Sequence, residues 1–278
     1  MDSIINLGIP HIGELIFENV NTPTLIKCLL VSETWKILAR KVFIKRIKRL
    51  NRKTFEALFW QARKNGRKDV VQLLIDTDQN LNLRDAFMQL CFEGSNDIVQ
   101  LLLDHLGPNI DLNAKNNGWT ALMRACIHGR NDEVKLLLDH FKRIELNATN
   151  YYGFTAFMLA CSNGHNDIVK LLLDHSTQKI NLNARNKDGA TAFMFACSGG
   201  HKNVVQLILD HSKRFELNTR RNDGTTAFML ACSTGSRDVV KLLLEYSKLV
   251  DIIISDNHLR ISKDIKNLIE LHSMRVQK

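Results

Sequence analysis

A cysteine spacing constrains this chain more than any other feature. Cys91, Cys126, Cys161, Cys197 and Cys232 follow one another at intervals of 35, 35, 36 and 35 residues, and of the six cysteines only Cys28 stands outside the series. A fixed period of that length means an array of similar supersecondary units, each unable to bury its apolar face without a neighbour. The surrounding words agree: Ala121-Leu-Met-Arg-Ala-Cys126, Ala156-Phe-Met-Leu-Ala-Cys161, Ala192-Phe-Met-Phe-Ala-Cys197 and Ala227-Phe-Met-Leu-Ala-Cys232, with a weaker copy at Ala86-Phe-Met-Gln-Leu-Cys91. Glycine follows each cysteine by three residues, at Gly94, Gly129, Gly164, Gly200 and Gly235, and then comes Asp-Ile-Val-Gln-Leu-Leu-Leu-Asp-His or a variant of it.

Each unit reads as a helix, a tight turn and a second helix. Within residues 166–175, Ile168, Val169, Leu171, Leu172 and Leu173 form a broad apolar face, Asn166 is expected to cap, and Asp167 favours the N-terminal dipole. The glycine ends the first helix where a positive φ costs little. A second set, Gly118, Gly153, Gly189 and Gly224, follows Asn- and Asp-rich turn text. With Gly66 included, ten of the fourteen glycines occupy these two positions. Only three prolines occur and 45% of residues are hydrophobic, so a mainly helical chain with a buried core is expected.

These units resemble the ankyrin repeat, a β-turn plus two antiparallel helices of about 33 residues. The resemblance rests on Gly-x-Thr at Gly118–Thr120, Gly153–Thr155, Gly189–Thr191 and Gly224–Thr226, on Gly164-His165 and Gly200-His201, and on the Val-x-Leu-Leu-Leu of the second helix. It covers roughly residues 54–250 and implies an all-α ankyrin-repeat solenoid built to bind protein. Residues 54–83, with Gly66 as the turn, read as a degenerate first unit, 84–250 as the repeats, and 251–278 as a closing cap with an amphipathic helix over 261–272. The family's Pro-Leu-His after Thr is replaced by Ala-Leu-Met or Ala-Phe-Met, which removes a histidine that normally ties adjacent loops. A weaker tie between loops is therefore expected.

Residues 1–53 do not follow the repeat. Ile12, Leu15, Ile16 and Val20, and then Leu25, Cys28 and Leu29, have helical spacing, and three short helices are expected. A piece of about forty residues buries too little apolar area to stand alone, so it needs a partner or the adjoining repeats. Ile9-Pro10, Ile16-Phe17, Val20, Val31-Ser32, Trp35 and Leu38 resemble the F-box in order and spacing. That resemblance implies docking on the Skp-type adaptor of a cullin complex, a cullin-RING ubiquitin ligase, through Ile9, Pro10, Leu15, Ile16, Phe17, Val20, Leu25, Val31, Trp35 and Leu38, with Trp35 as the buried anchor. F-box plus ankyrin chains of this wording are similar to proteins of large DNA viruses that infect amoebae, which implies work in host cytoplasm.

The formal net charge of +9 is local: residues 1–53 carry ten Lys+Arg against four Asp+Glu, and eight of those ten lie between Arg40 and Lys53. Phe43, Ile47 and Leu50 keep helical spacing there, so residues 40–53 read as a linker helix with one greasy face and a solvated basic face. Nuclear import, or an acidic partner, is the second reading of this segment. Nucleic-acid binding is disfavoured because the repeats carry no basic stripe to continue it. No apolar stretch approaches the roughly 20 residues of a membrane span, and no signal-like start is present, so a soluble cytoplasmic protein without a membrane role is expected.

The cysteine series invites a metal, but equivalent positions in stacked helices lie on the order of 10 Å apart, whereas zinc ligands lie about 2.3 Å from one ion. Buried thiols packing helix on helix are expected instead. His105, His140, His175 and His211 sit at helix C-termini, where the dipole explains them. Met88, Met123, Met158, Met194 and Met229 read as core or half-buried packing, with a greasy partner surface as the alternative. No Gly-x-Ser-x-Gly, P-loop, His-Glu-x-x-His or Cys-x-x-Cys occurs, so neither catalysis nor a cofactor is expected.

Positions that hold a repeat together recur, while positions that read a target are free to differ. The hairpin tips and the ends of the first helices differ most, on what would be the concave face of the solenoid, and the candidates for an unknown protein target are Lys115, Trp119, His128, Tyr151, Tyr152, Phe154, Arg185, Lys187, Arg220 and Arg221. The expected function is that of a substrate receptor in which the F-box-like segment docks and the solenoid holds the target. The alternative is an ankyrin scaffold or sequestering protein with no ubiquitin role.

Overall fold

The computed structural model describes residues 40–45, 47–50, 52–77, 83–107, 110–140, 143–175, 180–252 and 262–276. The three short helices expected near the N-terminus, and with them Ile9, Pro10, Leu15, Ile16, Phe17, Val20, Leu25, Val31, Trp35 and Leu38, lie outside the described residues.

Helices follow the repeat words. They are α1 (Arg52–Lys64), α2 (Lys68–Asp76), α3 (Leu83–Glu93), α4 (Asn96–Leu106), α5 (Ala121–Ile127), α6 (Asn131–Asp139), α7 (Ala156–Ser162), α8 (Asn166–His175), α9 (Ala192–Ser198), α10 (Lys202–Asp210), α11 (Ala227–Ser233), α12 (Arg237–Glu245) and α13 (Lys263–Val276). Among the described residues the β structure is one isolated bridge, Asn116 with Trp119. The chain divides into two compact units, one drawn from Met1–Ala86 and Asp97–Ile110, the other from Phe87–Asn96 and Asp111–Lys278.

In the first unit, residues 40–45 are helical, and Val42, Phe43 and Ile47 are buried while Arg40, Lys41, Lys45, Lys48 and Arg49 are exposed. The two faces are those the spacing predicts, but the single linker helix expected over 40–53 is corrected: Lys48, Arg49 and Leu50 form a turn, and Arg52 and Lys53 already begin α1. Arg40 meets Asp76 at 3.4 Å. Helices α1 and α2 pack on each other around Gly66, burying Phe55 and Phe59 from one and Val70, Val71 and Leu74 from the other.

In the second unit, α5, α7, α9 and α11 contact one another in succession, and α6, α8, α10 and α12 do the same, which makes two layers of helices. Each seven-residue first helix starts at a threonine: the hydroxyls of Thr120, Thr155, Thr191 and Thr226 accept the N–H of Met123, Met158, Met194 and Met229 at 3.2 to 3.4 Å. Without such a cap a helix this short would be marginal. Phe157, Phe193 and Phe228 are fully buried between the layers, each contributing about 1.5 to 3 kcal/mol on area alone. The five methionines of the ladder are buried beside them. At Gly129 the backbone has φ +68, and a Cβ would fall 2.8 Å from the His165 ring, so the turn needs glycine for both conformation and clearance.

Two further expectations are corrected. Asn166 does not cap α8: it is the first helical residue, and its buried Oδ1 has no hydrogen-bond partner. The residues before α6, α10 and α12, namely Arg130, His201 and Ser236, also make no side-chain cap bond, because the chain enters these helices directly from the turn. The closing helix runs Lys263–Val276 rather than 261–272, with Ile265 buried and α12 in contact.

Candidate functional site

The loops between units are tied by asparagine. Asn113 donates to the Arg143 carbonyl and accepts from the Glu145 N–H, both at 2.7 Å. Asn183 does the same with Arg214 and Glu216 at 3.2 and 2.8 Å, and Asn218 with Leu249 and Asp251 at 3.2 and 2.8 Å. Asn147 accepts from the Asn181 N–H at 2.7 Å. The weaker loop tie expected from the missing histidine is thus offset by a residue that the turn-like wording concealed.

The tips are also joined. Lys187 N–H donates to the Tyr152 carbonyl at 3.1 Å, and Asn222 N–H to the Asp188 carbonyl at 3.0 Å. Lys115 Nζ donates to the Thr149 carbonyl at 2.9 Å and Arg185 Nη2 to the Arg220 carbonyl at 2.7 Å. Hence Lys115 and Arg185 hold neighbouring tips while remaining exposed, as do Lys187 and Arg220. Arg221 is half-buried and faces Asp223 at 3.8 Å, a partly exposed pair of small energetic weight. The Thr225 hydroxyl and N–H beside Asp223 hold its carboxyl below the usual range.

The aromatic candidates divide. Tyr151 and Tyr152 are 67% and 66% exposed, and the Tyr151 ring lies over Gly118, where a Cβ would come within 2.8 Å of it. Trp119 and Phe154 are half-buried. Phe154 meets Phe195 of the next unit at 4.8 Å between ring centroids. His128 sits edge-on to Phe92 at 4.2 Å. The structure therefore brings Phe154 to a partner on a first helix, and leaves the two tyrosines as the most open apolar surface of the tips.

Phe195, Arg124, Arg130 and His165 accompany these residues and were absent from the sequence candidates. The signal for Arg124 was available, since the equivalent residues are Leu159, Phe195 and Leu230. Arg130 and His165 hold the ends of preceding helices: Arg130 Nε donates to the Phe92 carbonyl at 3.0 Å, His165 Nε2 lies 3.1 Å from the Ile127 carbonyl, and His201 Nε2 lies 2.8 Å from that of Ser162.

The five cysteines of the ladder are buried and make no disulfide, and burial pushes their thiols up, that of Cys232 to about 12. Such thiols are unreactive packing groups. Among the described residues no His, Cys, Asp and Glu cluster could hold a metal, and no helix is long and apolar enough to cross a membrane.

Successive helix–turn–helix units in two layers, tied loop to loop and presenting variable tips, define a repeat solenoid of the protein-binding class. The chain belongs to the ankyrin-repeat family: the family described as Ankyrin repeats (3 copies) matches residues 18–116, 87–184 and 178–256. No curated protein matches the chain. Ankyrin repeats make it a protein-interaction module.

Proposed function

We propose that the chain is the substrate receptor of a cullin-RING ubiquitin ligase. Residues 1–53 dock on a Skp-type adaptor through Ile9, Pro10, Leu15, Ile16, Phe17, Val20, Leu25, Val31, Trp35 and Leu38, and the repeats hold the protein to be modified. The observation that carries this reading is the ordered text Ile16-Phe17, Val31-Ser32, Trp35 and Leu38 placed ahead of a repeat array. Bond formation belongs to the partner enzymes, and this chain supplies proximity and orientation, which turn a bimolecular encounter into a local one. Work in the cytoplasm of a host cell is part of the proposal.

One observation favours a second reading. The first family match begins at residue 18, inside the docking segment, which suits a scaffold whose N-terminal residues serve as an end unit of the solenoid. Capture on an immobilised Skp-type adaptor separates the two. The receptor reading expects wild type to be retained and Trp35→Ala to be lost, and retention of neither supports the scaffold.

A further inference from the structure

The hairpin tips act as controls for one another. Asn150 Oδ1 accepts the N–H groups of Tyr152 and Phe154 at 2.9 and 3.0 Å, and Asn186 Oδ1 accepts those of Asp188 and Ala190 at 3.1 and 2.8 Å. Two successive tips therefore share one backbone turn, closed from within by a buried asparagine. Where one carries Lys187-Asp188, and the tip after it Asn222-Asp223, the other carries Tyr151-Tyr152. The turn forms equally well with polar side chains, so it does not require the tyrosines. Both nonetheless stand mostly in solvent.

Positive charge gathers at the same edge. Residues 54–278 carry 28 Lys+Arg against 25 Asp+Glu, and the four tips at 115–117, 149–152, 185–188 and 220–223 hold five of the former and two of the latter, so the whole excess lies there. Contacts set these residues side by side. The Tyr151 ring lies over Gly118 of the preceding tip, which restricts it before any partner arrives. The Tyr152 carbonyl accepts the Lys187 N–H of the following tip at 3.1 Å, and a Cβ on Gly153 would stand 3.0 Å from the Asn186 Cα, so these two tips touch backbone to backbone. Arg185, two residues from Lys187, reaches on to the Arg220 carbonyl at 2.7 Å, and both cations remain exposed. Two open aromatic rings and two cations are thus held in one row by the turns themselves.

We propose that the tips at 149–152 and 185–188 bind an acidic segment of a partner protein, which lays an apolar side chain against Tyr151 and Tyr152 and sets its carboxylates on Lys187 and Arg185. Tyrosine supplies large contact area at a low cost in side-chain entropy, which suits it to the centre of such a contact. Charge complementarity selects an acidic partner and steers its approach. A nucleic-acid strand fits less well, because it brings a charge at every phosphate while Asp188 and Asp223 interrupt the cations along this edge. The inference rests on the chain acting as a protein-interaction module and is independent of whether an adaptor docks at residues 1–53.

A random peptide library displayed on phage and panned on the immobilised full chain tests it. Enriched sequences are expected to pair Asp or Glu with an aromatic or aliphatic residue. A synthetic peptide of that sequence, followed by fluorescence anisotropy, should bind the double variant Tyr151→Asn, Tyr152→Asn at least about tenfold more weakly, equal to about 1.4 kcal/mol. Asn150 still closes the turn in this variant, so its thermal melt should match that of wild type. Lys187→Gln, a change at an exposed position, should weaken binding about threefold. It should leave unchanged the binding of a peptide whose Asp and Glu are replaced by Asn and Gln, which closes a double-mutant cycle. Enrichment of peptides without acidic residues, no enrichment at all, or binding unaltered in both variants overturns the inference, and adaptor capture through residues 1–53 is read separately from all three. Tighter binding of a fluorescent oligothymidylate than of the peptide, weakened by the same variants, would assign the edge to nucleic acid and also overturn it.

Discussion

Glu133 provides a prediction that can be worked in detail. It occupies the third position of α6, where the equivalent residues of the other second helices are Ile98, Ile168, Val204 and Val239. Its side chain is as buried as theirs, at 3% exposure, and its Oε1 has no hydrogen-bond partner. Burial is the leading reason that its carboxyl titrates above the ordinary value of 4.5, with Asp132 adding to the effect, while its own backbone N–H and Arg130 oppose it. Replacing an incompletely paired buried charge by a fitted apolar residue typically stabilises by about 1 to 4 kcal/mol. Glu133→Val is therefore expected to stabilise by about 2 kcal/mol, or about 4 to 8 °C in Tm for a domain of this size. The sign with pH follows from the raised pKa. The folded state binds the proton more tightly than the unfolded chain, so wild type gains stability as pH falls through the folded value toward 4.5. Thermal melts of both proteins from pH 7.5 to pH 4.5, followed by circular dichroism, should show the advantage of the variant shrinking toward the acid end. A destabilised variant, or an advantage independent of pH, refutes the reasoning.

Three further outcomes follow from the same contacts. Gly153→Ala should cost more than Gly224→Ala: both have φ near +80, but a Cβ at Gly153 meets Lys187 N at 2.9 Å whereas nothing lies within 4 Å of Gly224, so urea denaturation should show about 1 to 2 kcal/mol at Gly224 and more at Gly153. Asn183→Ala removes two bonds between loops and should cost about 1 to 3 kcal/mol, with faster amide exchange at Glu216, and unchanged exchange there would contradict the tie. Cys91, Cys126, Cys161, Cys197 and Cys232 should resist iodoacetamide at pH 8 in the native protein and react after unfolding, as mass spectrometry can follow residue by residue.

The helices were legible because their wording recurs. The Ala-Phe-Met-Leu-Ala-Cys word and its variants mark α5, α7, α9 and α11 to within a residue, while α3 starts three residues ahead of its weaker copy, and the cysteine and methionine are buried in all five. Asn113, Asn147, Asn183 and Asn218 recur with the same period, yet their partners are backbone groups of the following loop. Backbone acceptors leave no trace in side-chain text, so these residues read only as turn formers. Asn166 misled for the opposite reason: its type suits a cap, but the turn geometry had already placed it inside the helix. For the interaction surface, tip variation drew attention to Tyr151 and Tyr152, which the structure leaves exposed. Arg124 and Glu133 were visible as misfits in a constant word, but their burial without full partners is a property of three-dimensional surroundings.

The receptor account turns on one contact, between residues 1–53 and a Skp-type adaptor. Isothermal titration of the purified full chain with that adaptor measures it directly. The account predicts saturable binding at equal stoichiometry that Trp35→Ala weakens by at least about tenfold, as expected for an aromatic anchor at an interface centre. Absence of heat and of co-elution with wild type, under conditions where an established F-box protein binds, would contradict it.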